Sequence, residues 1–368
     1  MLQTTKTTNA LLLSAVLLLL LPAEQDTQAC SRIFYETGTG TYICGRGMDW
    51  NDPTATTSIW AFPKGMKRDG GIGDHPITWT SKYGSVVASF YDAATVDGMN
   101  EPGLVGNVLY LAESDFGDPA KTEKPTISIG AWLQYFLDNY ATVKEAVEAM
   151  KDAPFTVVAP LLPNGRPASA HLSLSDPTGD SAVLEYLDGK LVIHHGPQYR
   201  VMTNSPIYEQ QLALTAYWDL IGGNNMLPGT ISAADRFVRL SYNLKSSPKF
   251  KDRDLAVAAV FSQMRAIGVP LGMADPNHPN ISSTLWRTVS DHDAKRYYFE
   301  SAILPAVFWV DLAKVDLKPG ASPKVIKIER GKPLAGEVSS HFKEAKPFEW
   351  LESAEKKAAD SKTTPKAQ

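Results

Sequence analysis

The sequence predicts a layered α+β domain, with helices covering paired sheets. Three observations predict it. Strand-like runs crowd the stretch from Ser31 to Leu111, helical spacing takes over at Ser128, and strands and helices then alternate in blocks rather than singly. Hydrophobic residues make up 43% of the 368 and charged residues 21%, a balance that builds a large core. No internal repeat or long low-complexity linker divides the chain.

The first 29 residues read as a secretory signal peptide. Lys6 is the positive start. Ala10–Leu21 is a 12-residue apolar run broken only by Ser14, too short to span a bilayer, and Thr27-Gln28-Ala29 approximates a small-x-small cleavage signal. Cleavage after Ala29 makes Cys30 the first residue and sends a chain without a stable membrane span to the periplasm or outside the cell. Other readings of the same stretch are a retained anchor, a Cys30–Cys44 disulfide, and a lipoprotein acylated on Cys30. Lipidation usually asks for a Leu-like residue three before the cysteine, where Thr27 stands. Residues 30–349 then form one domain, and 350–368 is a charged tail that frays.

Ser31–Tyr35 and Thr41–Met48 flank the turn-prone 36–40 and predict a hairpin. Ile77–Lys82 and Ser85–Tyr91 flank Tyr83-Gly84 and predict a second. Leu104–Leu111 is apolar enough for a central strand. Apolar spacing predicts a helix over Ser128–Tyr140, and Thr142 then caps another over Val143–Lys151. Strands follow at Ala170–Ser175, Ser181–Leu187, Lys190–His195 and Arg200–Thr203. Helices are predicted near 207–221, 232–243 and 254–266, and strands within 284–330, including Arg296–Glu300 and Val307–Asp311.

Net charge is −4 and the pI near 6.0, so no basic excess points to nucleic acid or an anionic membrane as partner. GxSxG, HExxH, the P-loop and a Rossmann fingerprint are all missing. Two cysteines without histidine spacing exclude a structural zinc site. His194-His195 lies in a strand, so its rings point to opposite faces and read as structural. No metal or cofactor is called for.

Cys30 is the residue with unusual chemistry. As a first residue it carries an α-amine of reference pKa about 8 beside a thiol of about 8.5, so the amine can take the thiol proton with no separate histidine. A guanidinium stabilises the thiolate, and Arg46 can serve. Asp49 can hold the amine. On one strand Arg46 and Met48 share a face while Asp49 lies opposite, so convergence needs a bulge or a strand end. Each of these residues also has a plain reading: Arg46 and Asp49 as a surface ion pair, Asn204 as a turn residue, Arg236 as part of a solvated helix face, and Trp50, Tyr110 and Phe90 as core.

Cys30 followed by GRGMDW resembles the start of the choloylglycine hydrolase/penicillin V acylase family of N-terminal nucleophile hydrolases. DGMNEPGL (Asp97–Leu104), VMTNSP (Val201–Pro206) and LPGTISAADRFVR (Leu227–Arg239) resemble further family segments in the same order. The match runs from Cys30 to about residue 312. With its signal peptide, WTSKYGSV and HLSLSD, the chain is most similar to the exported penicillin V acylases of Gram-negative bacteria.

The resemblance implies a four-layer αββα fold with two stacked antiparallel sheets. It implies Cys30 as nucleophile with its amine as base, Arg46 and Asp49 beside it, Asn204 as side-chain oxyanion donor and Arg236 as brace. Tyr110 falls where a backbone N–H supplies the second oxyanion donor, and with Trp50 it would enclose the acyl group. It also implies a small-molecule amide substrate with an apolar or aromatic acyl group: penicillin V, with N-acyl homoserine lactones beside it and conjugated bile salts as the alternative. Bile-salt hydrolases of the family usually carry Asn where this chain has Gly47 and Asn where it has Tyr110, and the resemblance implies that the Tyr at 110 favours acylase over bile-salt activity. Relatives are often homotetramers, although the short segment after Asn204 lacks the extra assembly loop of Gram-positive members. A non-enzymatic exported binding protein is the competing reading.

Overall fold

Between Glu36 and Tyr42 the chain reverses through Gly40, which takes φ +76°, a region that favours glycine. Ser31–Glu36 and Tyr42–Trp50 therefore pair antiparallel, with Arg32 opposite Arg46 and Phe34 opposite Cys44. The structure, a computed structural model, describes residues 30–52, 54–222, 225–273, 282–304 and 306–352. The expected signal peptide and most of the expected tail lie outside the described residues.

Among the described residues this hairpin sits inside a seven-stranded sheet. Its order is Val201–Met202, Ser31–Glu36, Tyr42–Trp50, Ser283–Asp291, Arg296–Ser301, Val307–Asp311 and Gly336–Glu337. A nine-stranded sheet faces it, ordered Lys190–His195, Ser181–Leu187, His171–Ser175, Val105–Leu109, Ala94–Asn100, Ser85–Phe90, Ser58–Phe62, Lys324–Lys327 and Lys343–Glu344.

Helices α1 (Ile129–Asn139) and α2 (Val143–Met150) cover the nine-stranded sheet. Helices α3 (Tyr208–Ile221), α4 (Ala233–Ser246) and α5 (Arg253–Ala266) lie on the other side, α4 and α5 against the seven-stranded sheet and α3 against α4. The layers thus run α, β, β, α. Local chemistry sets the helix starts. Ser128, Thr142, Ser232 and Asp252 each accept a backbone N–H with the side-chain oxygen. α1 is buried from Ile129 to Asp138, which its nearly continuous apolar sequence permits.

Strand alternation decides what lies between the sheets. Arg32, Phe34, Cys44, Arg46, Met48 and Trp50 fall on one face. Their partners come from the opposite sheet and its loops: Arg32 Nη2 donates to Ser181 Oγ at 3.2 Å, Cys44 Sγ to Asn107 Oδ1 at 3.3 Å and Arg46 Nη2 to Val108 O at 3.0 Å. Asp97 bridges the layers, accepting from Asn107 Nδ2 at 2.7 Å and Tyr297 OH at 2.5 Å. Burial pushes its carboxyl up from the ordinary range, against the pull of Arg46.

One hairpin predicted from sequence does not form. Thr78–Thr80 pairs with Lys67–Asp69 in a separate ribbon, and Ser85–Phe90 pairs with Ser58–Phe62 and Ala94–Asn100. The cause is a buried carboxylate. Asp138 of α1 accepts from Trp79 Nε1 at 2.8 Å and ion-pairs with Arg68 Nε at 2.9 Å, which holds the ribbon on the helix. Ser58–Phe62 and Ala94–Asn100 are strands that the pattern does not announce. Trp350 and Leu351, placed by sequence at the head of the fraying tail, are packed: Leu351 is buried, its N–H donates to Ala93 O at 2.9 Å, and its carbonyl accepts from Ser128 Oγ at 2.7 Å.

Candidate active site

Cys30 stands at the head of the first strand of the hairpin, so its side chain follows the Arg32 side of the alternation, between the sheets. Its Sγ lies 3.7 Å from Met48 Sδ, 3.6 Å from Asp49 O and 4.0 Å from Arg46 Nη2. Arg46 is buried. The same Nη2 donates to Val108 O, and the guanidinium stacks 4.4 Å from the Trp286 ring, while Nε and Nη1 have no hydrogen-bond partner. Nη2 also lies 3.0 Å from Met48 Sδ, so a buried guanidinium stands beside the sulfur of Cys30.

Asp49 keeps to the other face of its strand, toward α4. The bulge in this pair lies in the neighbouring strand, between Thr284 and Trp286, and leaves Tyr42–Trp50 alternating. The carboxyl is buried, with Oδ1 unpartnered. Burial raises its pKa to about 6, partly offset by Arg236, a hydrogen bond from Thr284, Arg287 and Arg46. Arg46 and Asp49 thus lie on opposite faces of one strand, with Arg46 Nη2 and the Asp49 backbone carbonyl near Cys30 Sγ, and both side chains are buried, so they form no surface ion pair.

Arg236 comes from α4, which Ser232 caps, and is fully buried. Nη1 donates to Cys30 O at 2.7 Å and to Ser31 Oγ, Nη2 to Asn204 Oδ1 at 3.0 Å, and Nε to Ile231 O at 2.9 Å. Burial lowers its pKa to about 10, against the pull of Asp49 and Cys30, so it is charged at neutral pH. With Oδ1 on Arg236 and Nδ2 donating to Tyr110 O at 2.7 Å, the Asn204 amide has one orientation and a second N–H for other use.

Beside Cys30 lies a mainly apolar pocket. Cys30, Arg46, Met48, Trp50 and Tyr110 line its base, and Phe90, Val96, Leu162, Ala168 and Leu351 are among its walls. Trp50 packs edge-on to Phe90 and Tyr110 at 5.3 and 6.3 Å and is pinned by Tyr91, whose OH accepts from Trp50 Nε1 at 3.0 Å and donates to Asp52 Oδ2 at 2.5 Å. Trp50 and Tyr110 both line the cavity; Asn204 and Arg236 do not, and reach it through Tyr110 O and Cys30 O. The sequence missed Met48, Leu162, Ala168 and Leu351, because no local pattern separates a pocket wall from core.

Both cysteines are free and buried. Exposed His195 pairs with half-buried Asp180 at 2.8 Å, and His194 packs on Tyr199 and Tyr208. Among the described residues no cluster of His, Cys, Asp and Glu could hold a metal ion, and no helix is long and apolar enough to cross a membrane.

Two stacked antiparallel sheets between helix layers, with a cysteine at the edge of an apolar pocket, define the N-terminal nucleophile hydrolase class of fold. Solved structures agree. A penicillin V acylase from Agrobacterium tumefaciens superposes with TM-score 0.82 at 49% identity, covering 88% of this chain and all of that one. A conjugated bile acid hydrolase variant from Clostridium perfringens shares the fold at TM-score 0.68 and 22% identity, over 83% of this chain and 99% of that one.

The family profile for linear amide C–N hydrolases, choloylglycine hydrolase family, matches residues 30–327, and the chain belongs to that family. It is 48% identical over 346 residues to a penicillin V acylase of Pectobacterium atrosepticum, covering 88% of this chain and 92% of the relative. A bile salt hydrolase/transferase of Clostridium perfringens is 28% identical over 251 residues, 61% of this chain and 74% of the relative. The chain is therefore a penicillin V acylase-like amidohydrolase, and the non-enzymatic reading gives way.

Proposed function

We propose that the protein is an exported N-terminal cysteine amidohydrolase that cleaves the side-chain amide of penicillin V and also N-acyl homoserine lactones. The observation that carries this is the Cys30 thiol at the pocket edge, 4.0 Å from a buried guanidinium, with its own carbonyl tied to Arg236. Removal of residues 1–29 turns the Cys30 nitrogen from amide into amine. That amine takes the thiol proton, and the thiolate attacks the acyl carbonyl. The second N–H of Asn204 and the Tyr110 backbone N–H receive the oxyanion. The ammonium protonates the leaving amine. Water, deprotonated by the amine, releases the acid and restores the thiol.

The apolar pocket suits a phenoxyacetyl or alkyl acyl group, with Trp50 as one wall. Assembly as a homotetramer and residence in the periplasm belong to the same reading. Bile salts carry a far bulkier acyl group, and hydrolysis of glycocholate at the rate of penicillin V would reverse the preference.

The test uses the processed chain. Mass spectrometry should find a mature N-terminus at an unacylated Cys30. Cys30→Ala and Cys30→Ser should lose at least about 10³-fold in kcat on penicillin V. Full turnover by either variant removes Cys30 from the mechanism, and an acylated Cys30 removes the amine base. A panel of penicillin V, short- and long-chain acyl homoserine lactones and glycocholate ranks the substrates.

A further inference from the structure

Behind Asn204 lies a polar pair that no step above uses. His171 and Glu185, on adjacent strands of the nine-stranded sheet, are both completely buried. His171 Nε2 lies 2.7 Å from Thr203 O, the carbonyl joined to Asn204. A carbonyl only accepts, so Nε2 carries a proton. His171 Nδ1 lies 2.9 Å from Glu185 Oε1.

Glu185 has a second task. Helix α3 begins at Tyr208 with no side-chain cap of its own, and the Tyr208 N–H donates to both Glu185 oxygens at 3.1 Å. Glu185 thus supplies a side-chain acceptor at the start of a 14-residue helix that has no cap of its own. Among the described residues His194 also faces Glu185, with Nε2 4.0 Å from Oε2 and a pKa lowered by burial, and the Tyr208 hydroxyl feels the Glu185 charge as well.

Gln211 closes the arrangement from the first turns of α3. Its Nε2 donates to Asn204 O and Pro206 O, and its Oε1 accepts from Thr203 Oγ1 at 2.9 Å. The peptide that carries the oxyanion donor is thus gripped on its Thr203 carbonyl by a buried imidazole, itself linked to the helix start through Glu185.

We propose that His171, oriented by Glu185, is a positioning residue for Asn204: its Nε2–H fixes the Thr203 carbonyl and so aims the Asn204 amide at the developing oxyanion. The assignment rests on the acylase reading. Because the oxyanion exists only in the transition state, loss of aim lowers kcat and leaves ground-state binding alone.

The experiment compares His171→Leu, His171→Asn and His171→Gln in the processed enzyme on penicillin V, with iodoacetamide alkylation of Cys30 run in parallel. Gln places an amide nitrogen near the lost Nε2 position, whereas Asn places one near Nδ1, away from Thr203. His171→Leu and His171→Asn should lose about 10- to 100-fold in kcat, the scale of a small misplacement of a catalytic group. KM should stay within about threefold and the alkylation rate within about twofold, with His171→Gln within about fivefold of wild type in kcat. Equal kcat for the Asn and Gln variants overturns the assignment. So does a loss carried by KM or by alkylation. If His171→Leu fails to fold, the Asn and Gln pair decides. An unprocessed inactivity is excluded by the mature Cys30 terminus; wild type inert toward the whole amide panel removes the acylase reading and this assignment with it, whereas active wild type with an unimpaired Asn variant removes only the assignment.

Discussion

Asp49 shows what the site costs a single residue. Its carboxyl is buried with one oxygen unpartnered, and its pKa stands at about 6 against 3.8 for the free group. A carboxyl with a raised folded pKa stabilises the fold fully below the unfolded pKa and loses that contribution as pH rises through the folded one, here between about pH 4 and 6. With Cys30 still in peptide linkage, Asp49→Asn should therefore raise stability at pH 7, by at most about 3 kcal/mol, and change little at pH 4. Urea titrations at the two pH values check this; equal effects at both would show that Asp49 is not strained by burial. In the processed enzyme the same substitution should lose at least about tenfold in kcat, because the new ammonium then has no carboxylate to hold it. Arg46 is a second case: Arg46→Met should slow alkylation of Cys30 by at least about tenfold at pH 7, since the thiolate loses its cation, and an unchanged rate would mean that the 4.0 Å approach has no chemical weight.

At the scale of elements, the Tyr42–Trp50 strand organises both faces of the site. Cys44, Arg46, Met48 and Trp50 point between the sheets, and Gly45, Gly47 and Asp49 point toward the helices. That alternation was legible in GRGMDW, and so was the difficulty of converging Arg46 with Asp49. The structure keeps that strand alternating and puts the bulge in its neighbour, so Arg46 and Asp49 stay on opposite faces. Gly45 packs tightly under α5: a Cβ there would stand 2.5 Å from Val260 Cγ1. Gly45→Ala should destabilise the fold by about 1–3 kcal/mol through overpacking, with the lost stability recovered in part by Val260→Ala. Thermal melts of the two single variants and the double check the pairing; additive losses would place the strain elsewhere. The misread hairpin belongs to this scale too. Tyr83-Gly84 looks like a turn between two strands, but Asp138, far along the chain, claims Trp79 and Arg68.

Over the whole molecule, two buried groups pull the pH dependence of stability in opposite directions. His292 is buried in the interior, with Nδ1 2.8 Å from Gly103 O, and burial lowers its pKa to about 3. A depressed histidine contributes stability present above its unfolded pKa of 6.5 and lost as pH falls toward 3, the reverse of Asp49. His292→Asn, which keeps a donor near Nδ1, should lower stability at pH 7 yet flatten its decline between pH 6.5 and 4. Chemical denaturation across that range checks it, and an unchanged slope would assign the acid sensitivity to other groups.

The sequence by itself determined the neighbourhood of Cys30: a hairpin that brings Arg46 and Asp49, 16 and 19 positions on, back beside it. It also set the helix starts at Ser128 and Thr142, where a cap and its N–H lie within three positions. These depend on neighbours along the chain. Tertiary structure alone decided which residues wall the pocket, which ribbon Trp79 joins, and that His171, Glu185 and Gln211 stand behind Asn204. Leu351 reaches the pocket beside Ala93 and Ser128 by contacts spanning more than half the chain, and such pairings depend on layer packing that local spacing does not encode.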